Sequence, residues 1–167
     1  MDRPILNIAD LEYDVYQHGD TFYSRMGEIG GKLGSLKLGY NLTVVPPGKR
    51  AWPFHNHRVN EEMFFVIEGA GELRAGTQRY PIRSGDVIAS LPGGPEVAHQ
   101  IVNTSDSAEL KYLAVSTMLT PEIVEYPDSD KVGFRGVFPS PTAADGEERF
   151  RVTMRRQALK DEYWDGE

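Results

Sequence analysis

Between Thr21 and Thr117 the chain alternates short apolar runs with glycine and proline, a pattern that leaves little room for helices. β-Branched and aromatic residues fill these runs, as in LKLGYNLTVVPPG and EEMFFVIEG. The 17 glycines and 11 prolines among 167 residues punctuate them. The runs recur roughly every 8–12 residues, which is the spacing of a β-sandwich or a small barrel. The pattern therefore predicts one all-β domain.

The two ends of the chain are less regular than its middle. We expect an N-terminal extension with leading strands at 1–34, a barrel core at 35–118 and a C-terminal extension packed on the barrel at 119–167, all in one domain. In TPEIVEY, Thr120 as N-cap and Pro121 at the first helical position predict one short turn of helix. Residues 126–146 are rich in Pro, Gly, Ser and Asp and are predicted to be loops, and the charged segment after them fits a strand or a helix.

Charge and composition exclude several kinds of function. The net charge of −7 repels nucleic-acid phosphates and anionic lipids, so we expect neither as a partner. The chain contains no cysteine, which excludes disulfides, thiolate metal sites, iron–sulfur clusters and a cysteine nucleophile. The N-terminus MDRPILNIADLEYD carries acids where a signal peptide needs an apolar stretch, so the predicted location is cytoplasmic.

Three of the four histidines fall on one ordered pattern with a carboxylate. His55 and His57 lie two residues apart, and on an extended segment such residues project to the same face. After a short turn, Glu62 begins an apolar run that can return as an antiparallel strand and point toward both imidazoles. His99 comes from a distant strand, beyond the turn at Pro92–Pro95. Three neutral imidazoles and one carboxylate suit a divalent metal ion such as manganese, iron, nickel, copper or zinc.

The stretch from Gly48 to Asn103 resembles the two paired motifs of the cupin superfamily. The first is a glycine followed by HNH, a glutamate and a second glycine, and the second is a glycine followed by PGG, a histidine and an asparagine. Two gaps are slightly longer than the usual pattern, namely the one before His55 and the one between Gly94 and His99. The resemblance implies a double-stranded β-helix, also called a jelly-roll or cupin barrel. It also implies the metal ligands His55, His57, Glu62 and His99.

Glu61 is the alternative to Glu62 as the carboxylate ligand. The motif spacing, with six residues between the glutamate and Gly69, selects Glu62. If Glu62 points inward, strand alternation turns Phe64 and Val66 inward with it, and Glu61 faces solvent. The predicted pocket wall comprises Trp52, Phe64, Val66, Ile101 and Tyr112.

The resemblance suggests a small metal-dependent enzyme that acts on an oxygen-rich or anionic metabolite. Single-domain cupins of this size include sugar phosphate isomerases, dioxygenases and decarboxylases, and the sequence does not choose among them. The metal ion would act as a Lewis acid, while the catalytic residues, including a general base, stay unassigned. The alternative is a non-catalytic cupin that binds a sugar or an organic acid. Exposed sheet edges make a homodimer the expected assembly.

Overall fold

The computed structural model describes residues 4–142, 144, 146–159, 164 and 166. Within these residues the chain forms thirteen strands and four short 3-10 helices, so the predicted all-β class is confirmed. The strands are β1 (Asp14–His18), β2 (Phe22–Glu28), β3 (Leu38–Val45), β4 (Asn56–His57), β5 (Glu62–Glu68), β6 (Ala70–Ala75), β7 (Gln78–Arg83), β8 (Val87–Ser90), β9 (His99–Val102), β10 (Leu110–Thr117), β11 (Glu122–Tyr126), β12 (Lys131–Pro139) and β13 (Glu147–Arg155). The 3-10 helices are Ile8–Asp10, Pro95–Val97, Pro127–Ser129 and Arg156–Leu159.

The strands form three antiparallel sheets. The six-stranded sheet has the order β1-β2-β3-β10-β5-β8, the four-stranded sheet β13-β12-β11-β4, and the three-stranded sheet β7-β6-β9. The hairpin of β6 and β7 turns between Ala75 and Gln78, where the alternating sequence predicts it. Several neighbouring strands are far apart in the sequence, namely β3 and β10, β10 and β5, β5 and β8, and β6 and β9. Neighbours of this kind are typical of the double-stranded β-helix, and this architecture is confirmed.

The main core lies between the six-stranded and the three-stranded sheets. Phe64 and Val66 of β5 and Tyr112 of β10 pack there against Ile82 of β7 and Ile101 of β9. Along β5 the buried side chains recur with a period of two, as expected of a strand with one face on the core. Glu62 starts this buried face, so the carboxylate enters the barrel from the end of the strand.

A glycine with a left-handed backbone joins β5 to β6. Gly69 has φ +86°, and a Cβ atom at this position would lie 2.2 Å from the carbonyl oxygen of Glu109. No L-residue with a side chain fits this turn without moving the backbone. The motif glycine therefore has a structural role, because it allows the two strands to meet at the barrel end.

The C-terminal part differs from its sequence-based prediction. Residues 122–126 form strand β11 instead of the predicted turn of helix, because they pair with β4 on one side and β12 on the other. Within the segment predicted as loops, residues 131–139 form β12, which pairs along its whole length with β13. The predicted C-terminal extension therefore contains a long hairpin, while its residues 143, 145, 160–163, 165 and 167 lie outside the described part, as do residues 1–3 of the N-terminal extension.

The leading strand β1 forms one edge of the six-stranded sheet. All five of its residues are exposed, and Val15 and Tyr16 present apolar surface there. A second copy of the chain could pair with this edge strand through backbone hydrogen bonds. The homodimer stays a prediction. None of the described helices is long and apolar enough to span a bilayer.

Candidate metal centre

His55 and His99 are joined by their backbones before their side chains meet. The N–H of His55 donates to the carbonyl oxygen of His99 at 3.1 Å, and the N–H of His99 donates to the carbonyl oxygen of His55 at 2.7 Å. This antiparallel bridge places both imidazoles on one side, with ring centroids 4.6 Å apart. His99 is the first residue of β9, and His55 directly precedes β4. The bridge therefore links the three-stranded sheet to the four-stranded sheet.

The Glu62 carboxylate lies where the imidazoles converge. Its Oε2 atom is 2.9 Å from Nε2 of His99, 3.4 Å from Nε2 of His57 and 3.9 Å from Nε2 of His55. Ligand atoms of His55, Glu62 and His99 all lie within 4.8 Å of one another. His57 does not belong to this group of three, although its Nε2 atom contacts Glu62. Glu61, the alternative carboxylate, is exposed, and its backbone N–H donates to the Thr117 hydroxyl.

The donor set fits a divalent cation. Nε2 of His57, Nε2 of His99 and Oε2 of Glu62 are buried without a hydrogen bond of acceptable geometry. Buried polar atoms normally have a partner, and here the lone pairs face one another across a short gap. Nδ1 of His55 lies 2.8 Å from the carbonyl oxygen of Pro53, which holds the proton on Nδ1 and leaves Nε2 as the free lone pair. Two imidazoles and a carboxylate, with a third imidazole beside them, match the ligands of first-row metal ions.

The pKa values of the cluster favour the protonation states that a metal ion needs. Burial, together with repulsion from His99, lowers the pKa of His55 to about 3, although the Glu62 carboxylate opposes this shift. Burial raises the pKa of Glu62, but the contact with His99 and the neighbouring imidazoles outweigh it and lower the pKa to about 2. At neutral pH His55 is therefore uncharged and Glu62 is a carboxylate.

A second carboxylate lies behind His57. Oε2 of Glu122 is 3.5 Å from Nδ1 of His57, on the side of the ring away from Glu62. Glu122 is buried, and its oxygens accept hydrogen bonds from the backbone N–H groups of Arg58 (3.2 Å), Val59 (3.2 Å), Asn60 (2.9 Å) and Ile123 (2.8 Å) and from the side-chain amide of Asn60. These donors hold the carboxylate in place, so a negative charge lies behind the His57 ring, although Nδ1 of His57 has no hydrogen bond of acceptable geometry to it. Sequence reasoning assigned no role to Glu122, because it lies in the stretch predicted as helix.

Asn56 and Glu125 stabilise the other face of β4. The Asn56 amide donates to Glu125 at 2.8 Å, and Arg58 forms an ion pair with the same carboxylate at 2.7 Å. Arg156 forms a further ion pair with Glu125. Burial raises the pKa of Glu125, but Arg58, Asn56 and Arg156 together lower it to about 2. This network anchors β4, and with it His57, to β11.

A cavity of about 490 Å³ opens above the cluster. Trp52, Phe64, Ile101 and Tyr112 of the predicted pocket wall line it, whereas Val66 lies deeper, fully buried in the main core. The cavity is also lined by residues that sequence reasoning missed, namely Asn41, Pro53, Gln100, Ala114, Tyr126, Ser129, Lys131, Arg135, Arg151 and Thr153. Several of these belong to β12 and β13, and no local pattern indicates that this hairpin folds back over the barrel.

Residues 41–116 match the Cupin domain family, and this segment holds His55, His57, Glu62 and His99. An uncharacterised protein of Methanocaldococcus jannaschii is 26% identical over 117 residues, which cover 66% of this chain and 87% of that protein.

Solved structures agree with the family match. A protein of Acidithiobacillus ferrooxidans, provisionally assigned as a sugar phosphate isomerase, has a TM-score of 0.73 and 25% identity over 89% of this chain and 90% of its own. A sugar phosphate isomerase from a cupin superfamily of Silicibacter pomeroyi has a TM-score of 0.69 and 27% identity, covering 89% of this chain and 92% of its own. A predicted oxalate decarboxylase of Thermotoga maritima, 21% identical over 69% of this chain and 99% of its own, shares the fold with a TM-score of 0.59. The predicted resemblance to the cupin superfamily is therefore confirmed, with the family match at residues 41–116.

Proposed function

We propose, from the cupin domain at residues 41–116, that this protein is a metal-dependent enzyme that isomerises a small, oxygen-rich anionic metabolite. The observation that carries the proposal is the convergence of His55, Glu62 and His99 within 4.8 Å at a cavity of about 490 Å³. A cavity of this size accommodates a small metabolite. The names of two similar structures, each aligned over 89% of this chain, favour isomerisation of a sugar phosphate over decarboxylation or oxygenation.

The chain's own side chains would prepare the site for such a reaction. Glu62 contributes one negative charge and His55 none, so a divalent ion held there keeps a net positive charge toward the cavity. The ion would supply a Lewis acid that polarises a carbonyl oxygen of the substrate. Phe64, Trp52 and Ile101 provide an apolar wall, which strengthens polar contacts by excluding water.

Isomerisation needs no external oxidant. A proton leaves the carbon next to the carbonyl group, a proton is delivered to the former carbonyl carbon, and the hydroxyl and carbonyl groups exchange places. The residue that moves the proton is not assigned. Because the proton passes through a base, part of it exchanges with solvent, and this exchange can be measured.

The test uses natively purified full-length protein with its metal content determined by mass spectrometry. The protein is incubated in D2O with a panel of aldose and ketose phosphates, and NMR follows deuterium incorporation next to the carbonyl group. We expect incorporation and a new isomer with wild type, and neither with His99→Ala. Binding of a sugar phosphate without exchange would contradict the proposal and favour a non-catalytic binding protein. Release of CO2 or consumption of O2 would favour decarboxylation or oxygenation instead.

A further inference from the structure

The hairpin of β12 and β13 turns a basic face toward the cavity. Arg135 of β12 pairs directly with Arg151 of β13, and Gly133 pairs with Thr153 one step along the same face. Lys131 lies four residues before Arg135 on β12, hence on this face as well. Lys131, Arg135, Arg151 and Thr153 all line the cavity that also contains His55, Glu62 and His99. One cavity therefore has a metal-ligating group on the barrel and cations on the hairpin.

These cations lack the carboxylate partners that other basic residues have. Arg58, Arg74 and Arg156 each form an ion pair with an acid. Among the residues that the structure describes, no acid lies within ion-pair distance of Lys131, Arg135 or Arg151. Two like charges directly opposite each other on a sheet are destabilising, so the pairing of Arg135 with Arg151 has a cost that a bound anion would remove.

We propose that Lys131, Arg135 and Arg151 form a subsite for the phosphate group of a phosphate monoester whose oxygen-bearing end faces His55, Glu62 and His99. The inference rests on the proposed function, since it names the substrate class of the same cavity. The family match covers residues 41–116 and does not include this subsite, because all three cations lie beyond residue 116.

The number and kind of donors favour phosphate over a carboxylate. Two guanidinium groups and one ammonium group can each donate to a different terminal oxygen of a phosphate dianion, and the Thr153 hydroxyl adds a neutral donor. A single carboxylate has two oxygens and one charge, so it would leave part of this donor set without an acceptor. The chain as a whole carries a net charge of −7, so the subsite is a local exception that attracts anions to this cavity.

The test measures binding of inorganic phosphate to the full chain after removal of metal by a chelator, at low ionic strength. Isothermal titration calorimetry compares wild type with Arg135→Gln/Arg151→Gln. The matched control is Lys37→Gln/Arg83→Gln, which removes the same charge from exposed positions that do not line the cavity. Acetate serves as the carboxylate probe.

We expect wild type to bind phosphate, and Arg135→Gln/Arg151→Gln to raise the Kd at least about tenfold, since two charged hydrogen-bond donors are lost. The control should stay within about twofold of wild type, and acetate should bind at least about tenfold more weakly than phosphate. The proposal would be overturned if both double variants lost phosphate affinity equally or if wild type showed no saturable phosphate binding. It would also be overturned if acetate bound as tightly as phosphate. If the double variant fails to fold, Lys131→Gln and Arg135→Gln are measured singly under the same criterion.

Metal content separates this inference from the proposed function. Arg135→Gln/Arg151→Gln should retain the metal stoichiometry of wild type, because neither arginine belongs to the ligating group. Wild-type protein that binds no metal would reject the proposed enzyme, yet the phosphate titration would still decide the subsite because it is made on metal-free protein.

Discussion

The backbones of His55 and His99 form two reciprocal hydrogen bonds, so two imidazoles from distant parts of the sequence are held side by side by main-chain geometry. This bridge does not depend on the side chains. The imidazoles can therefore be exchanged singly without removing the pairing that positions them, and the site is open to mutational tests.

Replacement of His99 by alanine should remove most of the bound metal while the fold survives. His99 Nε2 lies 2.9 Å from Glu62 Oε2, in the middle of the ligating group, and the backbone bridge remains in the variant. Elemental analysis of purified protein measures the metal-to-protein ratio, and circular dichroism checks the fold. His18→Ala, at an exposed position in β1, is the control and should keep the wild-type ratio. An unchanged ratio in His99→Ala would contradict the assignment.

Replacement of Glu122 by glutamine should affect both stability and metal affinity. The amide group turns a donor toward backbone N–H groups that now donate to the carboxylate, and an unsatisfied buried donor costs about 1–3 kcal/mol. We also expect metal affinity to fall about tenfold or more, because the His57 ring loses the negative charge of the carboxylate behind it.

Urea unfolding and metal titration measure these two effects of Glu122→Gln. Glu61→Gln makes the same chemical change at an exposed side chain and should stay within about 0.5 kcal/mol of wild type. Equal behaviour of the two variants would show that Glu122 has no special role.

The ion pairs of Glu125 should make stability depend on pH in the acid range. The pKa of Glu125 lies below its ordinary value of 4.5, at about 2, although burial opposes the shift. A lowered pKa means that the charged carboxylate stabilises the fold above the unfolded pKa, and that this contribution is lost as the pH falls toward the folded pKa. In chelator-treated protein, Glu125→Gln should therefore unfold more easily than wild type at pH 7.

The difference between wild type and Glu125→Gln should narrow as the pH falls from about 5 to about 2. Urea unfolding at a series of pH values checks this. A difference in unfolding free energy that is the same throughout this range would show that the ion pairs do not stabilise the fold.

Replacement of Gly69 by alanine should cost at least about 2 kcal/mol of unfolding free energy. The residue has a left-handed backbone, and the new Cβ atom would lie 2.2 Å from the Glu109 carbonyl oxygen. Gly19 also has a positive φ, of +54°, but a Cβ atom added there would meet no other atom within 4 Å, so Gly19→Ala isolates the backbone strain from the clash. Chemical denaturation compares the two variants, and equal losses would exclude the clash as a cause.

Local rules account for the placement of His55, His57 and Glu62, whereas His99 was connected to them only by the resemblance to the cupin motifs, and the ligand role of all four stays a prediction. The period of two places His55 and His57 on one side of an extended segment, and the alternation of β5 turns Glu62 inward while Glu61 stays exposed. The same alternation predicts that the Val66 side chain points into the barrel. It does not predict whether that side chain lines the cavity or lies in the core below it, and the structure places Val66 in the core.

The basic hairpin could not be predicted, because its position depends on pairing between distant segments. Prolines and glycines in residues 126–146 favour loops locally, but β12 is stabilised by full-length pairing with β13 and by β11 on its other side. The N-cap signal at Thr120 was overridden in the same way, since Glu122–Tyr126 gains two strand neighbours. Long-range pairing outweighs local propensity in both places.

The atoms proposed to ligate a metal ion belong to the barrel, and the cations of the proposed phosphate subsite belong to the hairpin after it, so the two halves of the cavity wall can diverge separately in evolution. A descendant that exchanged only the hairpin would keep its reactive centre and accept a different molecule. On the proposed function, inheritance of the histidines would predict the kind of chemistry among relatives, while the residues after the barrel would decide which metabolite each of them takes.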